Sequence, residues 1–117
     1  MSTRRIGELG EQIAEAFLEV KGYRILRRNY VCAGREIDLL ARIDSFLVAV
    51  EVKLRRGARY GRAIEAVDRR KLSRIQLVLS GALGQSSEPL QPRVDVVVID
   101  IDSEMSRMIV RHIEAVY

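Results

Sequence analysis

The nine residues Phe46 to Leu54, FLVAVEVKL, constrain the fold more than any other stretch of this chain. They are rich in β-branched side chains and unbroken by Gly or Pro, which reads as a strand. Successive side chains on a strand alternate between its faces. One face therefore carries Phe46, Val48, Val50 and Val52, and the other Leu47, Ala49, Glu51 and Lys53. Both are apolar before Glu51, so this is expected to be a central strand covered on two sides. It then directs a carboxylate and an amine the same way.

The preceding run, Glu36 to Ile43 (EIDLLARI), reads as a second strand, with Asp44-Ser45 between the two. With Asp44-Ser45 as a hairpin tip, Ile43 faces Phe46. The same register puts Asp38 opposite Glu51, and Glu36 opposite Lys53. Opposed residues bring their Cβ atoms to within about 5 Å. Two carboxylates that close repel unless a cation or a proton lies between them. Oxygen-only carboxylate pairs suit magnesium, which keeps several waters and binds phosphate oxygens. Lys53 beside such a pair would orient the attacking water or stabilise charge on phosphate. The plain structural alternative is a surface strand with a Glu36–Lys53 pair and Asp38 near a loop. The residues alone leave both readings open.

The other elements follow from periodicity. Ile6 to Lys21 is expected to be a helix, with Ile6, Leu9, Ile13, Ala16, Phe17 and Val20 on its apolar stripe. Gly22 ends it. Tyr23 to Val31 favours a strand, and a loop runs from Arg55 to Arg62. A long helix is expected over about Ala63 to Leu83, with Ile64, Val67, Lys71, Ile75, Val78 and Ala82 on one face. Gly84 to Pro92 reads as a surface loop. Arg93 to Ile101 is strongly β, and Met108 to Ile113 is expected as an edge strand. This order predicts one α/β domain over residues 1–117, a mixed sheet with helices packed on it.

The 117 residues make one domain's worth of chain. No window approaches the ~20 apolar residues that span a membrane. The first fifteen residues carry Glu8, Glu11 and Glu15 and lack the apolar core of a signal peptide. A single cysteine, Cys32, forms no internal disulfide and is expected to be a small core residue, in keeping with a cytoplasmic setting. The net charge of +4 and pI near 9.6 favour polyanionic partners.

The string Gly34-Arg35-Glu36-Ile37-Asp38-Leu39-Leu40, followed by Val50-Glu51-Val52-Lys53, resembles the PD-(D/E)xK nuclease superfamily. More narrowly it resembles the YraN-like family of small predicted endonucleases, which is similar to archaeal Holliday junction resolvases. Gly10-Glu11 with Ala14 resembles that family's first helix. Gly22-Tyr23-Arg24-Ile25-Leu26 through Asn29 resembles its first strand, Tyr60-Gly61 and Lys71 the segment after E-x-K, and Arg93-Val94-Asp95-Val96-Val97 its late strand. The resemblance implies a restriction-endonuclease-like fold and hydrolysis of phosphodiester bonds in DNA, including branched structures. It implies Asp38 and Glu51 as ligands of magnesium (manganese in its place), Glu11 completing the set, and Lys53 as the catalytic lysine. Arg35 departs from the family's usual glycine-glycine-glutamate and would either block approach or grip a phosphate.

Supporting residues carry alternatives. Glu11 lies off the main apolar stripe, solvated unless Ala14 and Leu18 form a second buried strip that points it at the site. Lys71 shares an apolar helix face, either snorkelling or directed at the acidic pair or a phosphate. Arg55, Arg56, Arg59, Tyr60 and Arg62, then Arg70 and Lys71, are expected to face nucleic acid, where Tyr60 would stack. His112 is assigned no role. A non-catalytic nucleic-acid-binding module and a homodimeric interaction domain, paired through the edge strand, stay open on the same fold.

Overall fold

The central strand dictates the layering. A computed structural model describes residues 2–32, 34–57, 68–104 and 106–117. The elements are α1 (Thr3–Val20), β1 (Arg24–Cys32), β2 (Arg35–Ile43), β3 (Phe46–Arg56), α2 (Arg69–Gly84), β4 (Gln91–Ile101) and β5 (Met108–Ile113). Among the described residues they form a five-stranded sheet in sequential order. Only β3 and β4 are parallel; the other neighbours are antiparallel. A parallel pair needs a crossover, and α2 lies within it. Asp44, at φ 51°, supplies the left-handed residue of the β2–β3 hairpin, a conformation that Asp tolerates.

Both faces of β3 are buried, as FLVAV requires. Val48 and Val50 pack with Leu39, Val97, Ile99 and the α1 residues Ala14 and Leu18. Leu47 and Ala49 pack with Leu40, Val94 and the α2 residues Ile75, Val78, Leu79 and Ala82. The result is a mixed α/β fold with a helix on each side of the sheet.

Helix α1 does not bury the stripe its large residues suggest. Ile6, Gly10, Ala14 and Leu18 face the sheet, Ile13 and Phe17 are half-buried, Ala16 is exposed, and Val20 is 89% exposed. Close packing explains the rotation. A Cβ on Gly10 would lie 2.9 Å from Leu54 Cδ1, so the helix seats itself through its smallest residues. The second strip, Ala14 and Leu18, is thus the buried one.

Helix α2 starts later than its apolar period suggests. Asp68 is extended (φ −103°, ψ 118°), and its carboxylate accepts the N–H groups of Arg70 and Lys71 as an N-cap. A capping aspartate defines a helix start that periodicity overlooks. The earlier part of the expected helix, with Ile64 and Val67, lies outside the described residues. Beyond β5, Val116 N–H donates to the Val94 carbonyl and Val94 N–H to that of Tyr117, so the chain continues along β4.

Candidate active site

The β2–β3 ladder starts at Ile43–Phe46 in the expected register and runs to Leu39–Val50. There it ends. Asp38 does not pair across to Glu51; its Oδ2 accepts the Val52 N–H at 2.8 Å. A carboxylate is a stronger acceptor than a carbonyl, so the side chain takes over the strand's hydrogen bond. Past this point β3 is held by β4, with Glu51 beside Val96 and Lys53 beside Val98.

Glu51 is 8% exposed and lines a cavity of about 260 Å³ between β3 and α2. Lys53, Asp68 and Lys71 line the same cavity. The Lys71 ammonium forms an ion pair with Glu51 Oε1. Neither Glu51 oxygen has a well-formed hydrogen bond among the described residues. Burial and the Asp38 charge push the Glu51 carboxyl from its ordinary 4.5 up to about 7, although Lys71 opposes the rise. Burial works against the Lys71 charge, but Glu51 and Asp38 outweigh it and raise its pKa. The alignment of Lys71 with Ile75 and Val78 therefore aims its amine at the acidic group.

Glu11 is half-buried on α1 and accepts Asn29 Nδ2 at 3.0 Å. The same nitrogen donates to Glu36 Oε1 at 2.8 Å. Burial raises the Glu11 pKa, the Asn29 hydrogen bond lowers it, and the Asp38 and Glu36 charges add to the rise. Glu11 is thus tied to Glu36 through Asn29. Among the described residues no three acidic, His or Cys side chains converge into a ready cation cage. Asp38 and Glu51 nevertheless fit an oxygen-seeking divalent ion, because they are two neighbouring carboxylates and the buried Glu51 meets only the Lys71 ammonium among the described residues.

The expected basic surface divides. Arg55 Nε meets Asp100 Oδ1 at 2.7 Å and its second nitrogen meets Oδ2 at 3.0 Å. Arg111 adds a third contact to Asp100 at 2.8 Å. Arg55 therefore points into a buried carboxylate instead of an open phosphate path. Arg56 and Arg70 are exposed. Arg59, Tyr60 and Arg62 lie outside the described residues.

Sequence reasoning missed two features. Asn29 links the carboxylates from a left-handed position (φ 49°); its signals were a polar residue inside a strand and its place in the family motif, neither of which gave it a role. His112 belongs to a buried network centred on Asp95. Its Nε2 donates to Asp95 Oδ2 at 2.8 Å, while Nδ1 accepts from Lys21 Nζ at 2.7 Å. Tyr23, Arg93 and the Ala115 N–H also donate to Asp95. Burial opposes the Asp95 charge, but these donors hold its carboxyl well below the usual range. The signal was a lone aspartate within a run of valines. Cys32 is half-buried beside the α2 core, as expected.

Residues 10–99 match the model of an uncharacterised protein family, UPF0102. A UPF0102 protein of Symbiobacterium thermophilum is 46% identical over 101 residues, covering 84% of each chain. One from Carboxydothermus hydrogenoformans is 36% identical over 117 residues, covering 99% of this chain and 98% of that relative. One from Roseiflexus castenholzii is 37% identical, covering 93% and 90%. No described helix is long and apolar enough to cross a membrane. The chain belongs to UPF0102, the YraN-like family whose motifs its sequence carries.

Proposed function

We propose that this chain is a divalent-metal-dependent nuclease of the PD-(D/E)xK kind, on a restriction-endonuclease-like fold, hydrolysing phosphodiester bonds in DNA. The observation that carries this reading is Glu51. It is buried beside Asp38, only the Lys71 ammonium meets it among the described residues, and it shares a cavity with Lys53. An acid held so uncomfortably in a cleft is a functional-site signature. Asp38 and Glu51 would hold magnesium or manganese, which supplies Lewis acidity at a phosphoryl oxygen when bound.

The chain's own groups do the rest. The Val52 N–H fixes the Asp38 carboxylate. Lys71 keeps part of Glu51 ionised despite its burial. Lys53 lies two residues beyond Glu51 on the same side of β3, with its amine exposed, and donates to a phosphate oxygen or orients water. The resemblance to resolvases extends the substrates to branched DNA.

The test is a cleavage screen over duplex, flapped and four-way DNA with magnesium and with manganese. Wild type should cut at least one substrate, and Asp38→Asn, Glu51→Gln and Lys53→Ala should each abolish cutting while the proteins stay folded. Cutting that persists in Asp38→Asn and Glu51→Gln would end this reading.

A second reading, a binding module without catalysis, draws on one observation. Lys71 already neutralises Glu51, and among the described residues no third carboxylate joins Asp38 and Glu51. It requires DNA binding that is indifferent to magnesium and to Glu51→Gln.

A further inference from the structure

Three guanidinium groups share one groove at the start of α2, and among the described residues none has a carboxylate partner. The groove measures about 450 Å³ and is lined by Arg35, Glu36, Asp68, Arg70, Lys71 and Arg74. Arg35, Arg70 and Arg74 are exposed, and none forms an ion pair among the described residues. The two carboxylates present are engaged elsewhere. Asp68 accepts the backbone N–H groups of Arg70 and Lys71, and Glu36 accepts Asn29 Nδ2. With Lys71 committed to Glu51, three guanidinium groups against these two anions still leave the groove positive. Converging like charges repel, and nothing in the packing of α2 requires them. A polyanion does, and the fork of a guanidinium matches phosphate oxygens.

Position selects the polyanion. Asp68 and Lys71 line both this groove and the cavity of Glu51 and Lys53, so the two adjoin. Arg35 stands on β2 and Arg70 and Arg74 on α2, so the groove draws its arginines from two elements. We infer that Arg35, Arg70 and Arg74 hold the sugar-phosphate backbone of a nucleic-acid strand, on the phosphates next to the one presented to Glu51. The placement of the strand rests on the proposed nuclease reading; the anion site does not. The strand leaves the site along β2 and α2, away from Arg55, which Asp100 occupies. Arg35, where the family usually has glycine, is then a backbone contact and not an obstruction.

The experiment measures binding of fluorescently labelled single-stranded and duplex DNA by anisotropy, in chelator, across a range of salt. Wild type should bind. Arg35→Ala and Arg74→Ala should each weaken binding roughly 3- to 10-fold, and together should lower the slope of log K against log salt by about 1.5 to 2. Arg107→Ala, outside the groove, should match wild type. Thermal melts confirm that the exposed substitutions leave folding intact. Failure of wild type to bind, or wild-type affinity and slope in the double variant, overturns the groove. So does tighter arginine-dependent binding of polyglutamate than of DNA, which would assign the groove to an acidic protein. Arginine-dependent binding without cleavage in magnesium or manganese upholds the groove and defeats the nuclease reading. Cleavage and binding unchanged in the double variant do the reverse.

Discussion

Replacing Glu51 by Gln should make the protein more stable above neutral pH and leave it nearly unchanged in acid. Burial and Asp38 hold the Glu51 carboxyl at about 7 in the folded protein, against an ordinary 4.5. The folded state therefore binds more protons than the unfolded state between those values. Stability falls as pH rises through that window and levels off above it. At about 1.4 kcal/mol per pH unit, the loss amounts to roughly 3 kcal/mol. Gln has nearly the same shape and no charge to ionise. The stranded Lys71 is half exposed and can return to water. Thermal unfolding at pH 5 and pH 8 tests this. The melting temperature of Glu51→Gln should match wild type within a few degrees at pH 5 and exceed it by roughly 8–12 °C at pH 8. Added magnesium should narrow the gap at pH 8 by stabilising only the wild type. Equal destabilisation of the variant at both pH values would refute the reasoning, because Glu51 would then be a net structural asset.

Lys71→Met removes the cation that opposes the upward shift at Glu51. Carboxyl carbon NMR should find Glu51 titrating at higher pH than in wild type; an unchanged titration means that the ion pair does not form in solution. Asp95→Asn leaves Arg93 and His112 facing a neutral amide in a buried network, at a cost of about 3–5 kcal/mol. Urea unfolding should show that loss at high salt as well as low, whereas a surface pair would be screened. The two interior glycines of α1 should respond in opposite directions. Gly10→Val forces a side chain against Leu54 and should cost about 1–3 kcal/mol. Gly7→Ala meets no atom within 4 Å and should gain about 0.5–1 kcal/mol; equal effects in chemical denaturation would mean that α1 is not seated through Gly10.

The sequence by itself determined the features that short-range pattern controls. FLVAVEVKL had to be a strand buried on both faces, because a strand alternates every residue and both series are apolar. The Asp44-Ser45 turn then dictated the register from Ile43–Phe46 to Leu39–Val50, and the short run Met108–Ile113 emerged as the edge strand. It also placed Glu51 and Lys53 on one side of β3. Tertiary structure decided wherever a residue chose among distant partners. Apolar size pointed α1 toward Phe17 and Val20, yet close approach to Leu54 turned it onto Gly10 and Ala14. Register carried Asp38 toward Glu51, yet the Val52 N–H captured its carboxylate. Lys71 and Glu51 meet because α2 crosses over the end of β3, and Arg55 turns inward because Asp100 lies beside it on β4. His112 has meaning only once β5 lies against β4 and brings it to Asp95. The periods of helix and strand are local, and the chain carries them openly. The partner of a charge is settled only when packing excludes water and leaves that charge one place to go.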